Sequence, residues 1–218
     1  MVAASDYQEP NVVLLGGPGA GKGTQAEKLL EDRDMQHLAT GDILRDEVDK
    51  GTELGLEAKK YMDKGELVPD DLVVDMVQKR LTDQKGYLFD GFPRTIDQAK
   101  ALDDVVDLDL VAYIKISESE AVRRLSSRRV CSECGKIFNT IFKPPEREGV
   151  CFECGGDLYQ RDDDKPKVIR DRFETFLDET APLIDFYRER GLLEEIDGEQ
   201  EPDEVQKDIK SALHQGTG

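Results

Sequence analysis

The stretch "VVLLGGPGAGKGTQAEKLL", Val12 to Leu30, decides the fold. It opens on a four-residue apolar run, Val12-Val13-Leu14-Leu15, and closes on a helix-forming pattern beginning near Lys22. Between them, four of the six residues from Gly16 to Gly21 are glycine, and the only charge in the loop is Lys22. A strand that turns through glycines into a helix is suited to one task. Backbone N–H groups can converge on an anion only where no Cβ obstructs them. The helix N-terminus then adds unpaired donors and the positive end of its dipole. The pattern Gly16-x-x-x-x-Gly21-Lys22 matches a phosphate-binding loop, with Lys22 as the point charge that reaches the β- and γ-phosphates. In one respect the loop departs from the usual pattern: Gly23 follows the lysine, and the hydroxyl comes one place later at Thr24. A glycine-rich turn without a ligand is the plainer alternative, and the flanking strand and helix argue against it.

Working outward, apolar runs of strand character recur at 11–15, near 36–39, at 87–90, at 110–116 and at 192–196. Amphipathic helical patterns fill the intervals, among them Asp70–Leu81 behind Pro69-Asp70-Asp71. Five strands separated by helices predict an α/β fold, a parallel sheet covered on both faces. Two stretches break the alternation. Residues 41–68 read as short helices joined by loops, with no convincing strand; residues 130–160, rich in Cys, Gly, Pro and charge, read as a separate small module. No repeat of fixed period and no low-complexity tract is present.

The 218-residue chain carries 48 acidic against 30 basic side chains, a formal charge of −18. Such a surface repels nucleic acid and anionic membranes. It is the surface of a generally soluble acidic protein or, more sharply, of one adapted to a salty cytoplasm, where self-repulsion is screened. No apolar run approaches the ~18 residues needed to span a membrane, and "MVAASDYQEP" at residues 1–10 reads as a frayed tail rather than an export signal. The expected location is the cytoplasm. In so acidic a chain, a cluster of arginines is a local exception that points to an anionic partner.

All four cysteines lie in one pattern: Cys131-x-x-Cys134, sixteen residues, Cys151-x-x-Cys154. Two such pairs at this distance are a strong zinc signature. Four thiolates fill a tetrahedral shell and leave no position for water, so the expected site is structural; iron could take the same four thiolates. Disulfides or free thiols are the alternative, and a disulfide framework does not suit a cytoplasmic chain.

The loop "GGPGAGKGTQA" is followed by "ATGDILR" at 39–45, "DGFPRT" at 90–95 and "RRVC" at 128–131. Together these motifs strongly resemble the nucleoside monophosphate kinases, and adenylate kinase among them, from about residue 11 to about residue 213. The resemblance implies a P-loop kinase core over 11–38, 69–126 and 165–214, an AMP-binding helical insertion over 39–68 and a metal-bearing lid over 127–164. It implies a monomer catalysing ATP + AMP ⇌ 2 ADP with Mg²⁺. Phosphoryl transfer demands positioning and positive charge rather than covalent chemistry from the protein, and arginine forks suit phosphate.

On that resemblance the ATP side comprises Gly17, Gly19, Ala20, Gly21, Lys22, Gly23 and Thr24, with Arg124 stacked on the adenine. Arg128 lies at the phosphates, Ile137 and Phe138 near the base, and Gln200 contacts ATP through its backbone. On the AMP side, Arg45 and Arg94 hold the phosphate. Thr40 and Gln98 contact the base, with the backbone of Glu66, Leu67 and Val68, and Gly91, Phe92 and Pro93 build the pocket. Arg128, Arg161 and Arg172 surround the transferring group, the last two also facing AMP; together with Lys22 and Arg94 they form the expected catalytic set. Asp90, ending a strand, is the expected holder of Mg²⁺ through water; Asp42 is a second candidate, equally readable as a helix-turn residue. Asp163 and Asp164 are expected either to orient arginines or close the lid, or to be a solvated acidic run. Ile137 and Phe138 could equally be the lid's own core. Arg123, Arg129 and Arg170 are expected to pair with surface carboxylates, and His37 and His214 to be ordinary surface or strand-end residues. Rival readings are a UMP or CMP kinase, a non-catalytic nucleotide-binding module, and a zinc-dependent nucleic-acid binder; the phosphate-facing arginines argue against an inactive module, and the charge against nucleic acid.

Overall fold

The computed structural model describes residues 9–82, 86–142 and 144–215. The five expected strands form one parallel sheet: β1 Val12–Leu15, β2 Gln36–Ala39, β3 Tyr87–Asp90, β4 Leu110–Lys115 and, later in the chain, Leu193–Asp197. Numbered in chain order the last is β8, because three short strands of the lid intervene: β5 Arg128–Cys131, β6 Ile137–Asn139 and β7 Leu158–Tyr159. The sheet order is β2-β3-β1-β4-β8.

The β1 run has no polar alternation because both of its faces are covered. Successive side chains still point to opposite sides. Val13 and Leu15 join Leu38, Phe89, Val111 and Tyr113 in one buried cluster. Val12 and Leu14 join Leu88, Leu110, Ala112 and Ile114 in the other. The register agrees, Val13 lying level with Phe89 on one side and Val111 on the other. Helices α1 (Lys22–Asp32), α6 (Glu118–Ser126), α7 (Pro166–Thr175) and α9 (Pro202–Gln215) cover the second cluster. The first cluster is covered by α2 (Thr40–Asp49), α3 (Glu53–Met62), α4 (Asp70–Gln78), α5 (Ile96–Asp103) and α8 (Pro182–Arg188).

The helices expected within 41–68 are α2 and α3, and α4 ends three residues before the expected Leu81. The Arg80 guanidinium donates back to the carbonyl of Met76, satisfying an acceptor at the end of α4. Residues 1–8 of the expected tail lie outside the described residues, but residues 9 and 10 are not frayed. Pro10 is buried, and Glu9 pairs with Arg33 at 3.3 Å and packs on Gly86.

The module read as irregular contains a three-stranded antiparallel sheet in the order β6-β5-β7. Its buried core is Cys131, Phe138 and Cys151, with Leu158 packed against them. With two arginines opening β5 and only three and two residues in β6 and β7, these strands offer no apolar run that a sequence pattern could reveal. No helix among the described residues is long and apolar enough to cross a membrane.

Candidate functional site

The loop after β1 runs into α1 at the carboxyl edge of the sheet, where β1 lies between β3 and β4. That edge, at the point where strand order reverses, is where ligands sit in doubly wound sheets. Gly21 caps α1 at φ 92°, a left-handed conformation that disfavours any side chain. A Cβ on Gly16 would stand 2.6 Å from the carbonyl oxygen of Ile114 in β4, so a side chain there would push the loop off the sheet. Lys22 opens the helix. Its Nζ donates to the carbonyls of Gly16 at 2.8 Å and Gly17 at 3.0 Å. Burial pulls its ammonium down to about 8; the Asp90 carboxylate opposes this, and Arg94, Arg172 and Arg128 add to it. Thr24 faces outward, whereas Gly23 brings the first turn of α1 close to Asp90, leaving a Cβ position 3.6 Å from its Oδ2.

Five arginines from four parts of the chain converge on the same cleft. Arg94 follows β3 and donates Nε to the Gly91 carbonyl at 2.8 Å. It is held down at about 10 by burial and then by Arg172. Arg172, on α7, donates Nη1 to Asp163 Oδ2 at 2.8 Å. Arg128, at the root of the lid, makes a two-pronged pair with Asp164, Nε to Oδ2 at 2.8 Å and Nη2 to Oδ1 at 2.6 Å. Arg45, on α2, pairs with Asp42, and Arg161 approaches the same carboxylate at 3.6 Å. Arg161 is the clearest sign of an anion site. Its side chain is 12% exposed, its Nε has no hydrogen-bond partner among the described residues, and burial followed by Arg45 and Arg128 lowers it to about 10. Buried cations that depress one another are arranged for a negative ligand.

The carboxylates complete this arrangement. Asp163 and Asp164 hold Arg172 and Arg128, and Asp164 is fully buried, so they orient arginines; the solvated member of the run is Asp162, paired with Lys165. Asp42 binds two arginines from the first turn of α2, so Mg²⁺ would compete with them for its oxygens. Asp90 differs: its carboxylate accepts no hydrogen bond among the described residues, and the nearest cation-forming side chain is His37, Nε2 to Oδ2 at 4.0 Å. A hard oxygen donor left open beside the phosphate loop fits Mg²⁺ held through water.

A cavity opens from the loop toward the helical insertion, lined by Lys22, Thr40, Arg45, Leu67, Val68, Gly91, Pro93, Arg94 and Gln98, with Glu66 and Arg172. Leu44, Met62 and Val73 supply apolar wall. Thr40 and Gln98 are buried polar residues at its end, and Phe92 is buried beneath it; the Phe92–Pro93 peptide is cis. Thr40 Oγ1 donates to the Gly91 carbonyl at 2.8 Å, tying α2 to the end of β3.

On the other flank, Arg124 donates to Glu120 and to the Gly198 carbonyl at 2.9 Å, which aligns its guanidinium with the 198–200 loop. The Gln200 side chain is engaged by Asp197 and Asp208, leaving its backbone for a ligand. Phe138 is 1% exposed and packs edge-on against Phe152, so its side chain belongs to the lid core; Ile137 remains 36% exposed. Arg123 and Arg170 pair with Glu120 and Glu118 as expected. Arg129 corrects its expectation: it donates to the carbonyls of Ser126 and Arg128 at the end of α6 and, among the described residues, pairs with no carboxylate.

The four cysteine sulfurs lie within 4.8 Å of one another, with Cys131–Cys154 at 3.4 Å and Cys134–Cys151 at 3.7 Å. Four sulfurs about 2.3 Å from one ion stand about 3.8 Å apart, so the group fits a tetrahedral metal.

The adenylate kinase family model matches residues 14–192. Curated adenylate kinases are similar over nearly the whole chain. That of Methanocella arvoryzae is 51% identical over 92% of this chain and 97% of its own length. That of Caldicellulosiruptor bescii is 48% identical over 93% and 98%, and that of Halobacterium salinarum 47% identical over 95% and 98%. A glycine loop shaped to receive phosphate, five arginines turned inward in an acidic chain and this full-length similarity agree, and the chain belongs to the adenylate kinase family.

Proposed function

We propose that the chain transfers the terminal phosphoryl group of MgATP to AMP, giving two ADP, and that the cleft residues divide the work as follows. The backbone from Gly17 to Thr24 wraps the ATP phosphates, and Lys22 reaches between them. Arg124 covers the ATP adenine while Ile137 and the backbones of Phe138 and Gln200 border it. Arg45 and Arg94 hold the AMP phosphate at the mouth of the cavity. Thr40, Gln98 and the 66–68 backbone meet its base, above the wall made by Gly91, Phe92 and Pro93. Arg128, Arg161 and Arg172 converge where negative charge spreads during transfer, and stabilisation of that charge is the main catalytic contribution open to a protein here. Mg²⁺, held through water by Asp90, supplies further charge neutralisation between the phosphates when bound. The four cysteines hold a structural zinc ion that stands in for the apolar core the lid lacks. Lids of adenylate kinases are themselves a familiar instance of substrate-induced closure, which keeps water from the phosphoryl group. We place the enzyme in the cytoplasm as a monomer.

The observation that carries this reading is Arg161, a nearly buried guanidinium with an orphan Nε among like charges. The test is ADP formation from ATP plus AMP by purified protein, with UMP and CMP as alternative acceptors. Equal turnover of UMP would move the chain to the pyrimidine kinases, and absence of any transfer would leave a nucleotide-binding module.

A further inference from the structure

Resting on the reading of the cavity as the AMP base site, we propose that Asp70 is a specificity-determining positioning residue: it fixes which way the Gln98 amide points and so makes the site select adenine over a 6-oxopurine. Gln98 is 1% exposed at the end of the cavity. Its two polar atoms look alike in shape but not in chemistry, since the oxygen only accepts and the nitrogen only donates. Their partners decide which is which. The Arg94 backbone N–H, a pure donor, lies 2.8 Å from Oε1. The Asp70 carboxylate, a pure acceptor, lies 2.8 Å from Nε2 through its Oδ1. The assignment therefore follows from the two neighbours and not from the amide itself.

Asp70 is in turn held in place. It stands at the start of α4, where the helix dipole favours a carboxylate. Its Oδ2 accepts from Thr95 Oγ1 at 2.6 Å, and that hydroxyl accepts from the Gln98 backbone N–H at 3.2 Å as the cap of α5. The first turns of α4 and α5 are thus joined through one carboxylate, out of reach of the ligand but directly behind the group that meets it.

The consequence concerns purines. With one amide hydrogen on Asp70 and one oxygen lone pair on Arg94, Gln98 has one donor and one acceptor left, in a fixed order. Adenine offers N1 as acceptor and its 6-amino group as donor; hypoxanthine and guanine offer the reverse, a 6-oxo acceptor and an N1–H donor. A flipped amide would suit the 6-oxopurines. Arg94 alone opposes that flip once Asp70 is removed, whereas with both partners a flip would bring donor against donor and acceptor against acceptor.

The experiment compares Asp70→Leu, close to isosteric but without an acceptor, with the conservative Asp70→Asn, using AMP and IMP as acceptors and MgATP as donor. Losing one such pair is expected to raise KM for AMP by about 10-fold or more in Asp70→Leu and to raise the IMP-to-AMP ratio of kcat/KM by about 10-fold or more, with KM for MgATP unchanged. Asp70→Asn still presents Oδ1 to Gln98 and should remain within about 3-fold of the parent on both measures. Thermal melts establish folding; if Asp70→Leu fails to fold, Asp70→Ser, too short to reach Gln98 but suited to a helix start, is read the same way. Parent-like AMP kinetics and base preference in the folded acceptor-less variant, beside a Gln98→Leu variant impaired toward AMP, would overturn the role of Asp70. So would an equal rise in KM for AMP and MgATP, the mark of a general loss of structure. A Gln98→Leu variant with unaltered AMP kinetics would instead overturn the assignment of the cavity to the base, and the proposal with it.

Discussion

Raising the pH through the titration of Lys22 should weaken capture of ATP before it slows turnover. The lysine sits half-buried, its Nζ on the Gly16 and Gly17 carbonyls, and burial among arginines brings it from 10.5 to about 8. In the free enzyme it is almost fully charged at pH 7 and about nine-tenths neutral at pH 9, so kcat/KM for MgATP should fall about 10-fold over that interval, with unit slope above pH 8. Bound phosphates restore the charge, so kcat, which reports the complex, should stay flat to about pH 9. The sign for stability is the reverse of a salt-bridged lysine. The folded value lies below the unfolded one, so the charge costs stability below about pH 8, and stability recovers as pH rises from about 8 to 10.5. The full shift corresponds to about 3 kcal/mol, which partial solvent contact reduces to about 1–2. Lys22→Met removes this cost but leaves two carbonyls without their donor, at about 1 kcal/mol each. The variant should therefore melt within a few degrees of the parent while losing at least ~10²-fold in turnover, because a preorganised charge has gone from the transferring group. Its residual kcat/KM should show no break near pH 8. A parent profile flat from pH 7 to 9.5, or near-normal activity in Lys22→Met, refutes the reasoning.

Cys134→Ser should release the lid metal, about one zinc per chain in the parent by elemental analysis, and make the lid the first site of proteolysis, since its buried cluster among the described residues is no more than Cys131, Phe138 and Cys151 with Leu158 packed against them. Asp164→Asn should lower unfolding free energy by about 3 kcal/mol in denaturant titration, because Arg128 would keep its charge and lose its fully buried partner. The melting temperature should rise markedly between 0.1 M and 2 M KCl, as the Debye length contracts from ~10 Å to under ~3 Å and repulsion within a chain of net charge −18 is screened; a flat or falling curve removes the salt-adapted reading.

How much of this was open to a reader of the sequence depended on how local the cause was. Glycines between an apolar run and a helix pattern have few other uses, so the phosphate loop, the strand–helix alternation and all five sheet strands could be read along the chain. Two Cys-x-x-Cys pairs likewise pointed to a cluster of four thiols that could hold a metal, since each pair and its turn lie within a few residues. The lid's strands escaped because none is an apolar run bounded by turns: β5 opens on Arg128-Arg129, and β6 and β7 have three and two residues; the Arg129 expectation failed because a helix end is a boundary that sequence locates poorly. What the tertiary structure alone decided is how distant groups act on one another. Lys22 is depressed by burial and, further, by arginines that lie 72, 106 and 150 positions away. Asp163 and Asp164 became holders of arginines rather than a solvated run because α7 and the lid root meet there. Asp70, to the eye an ordinary helix-start acid, stands behind Gln98 only because α4 and α5 bring their first turns together. Electrostatic coupling and hydrogen-bond polarity depend on separation in space, and a linear chain records separation only along itself.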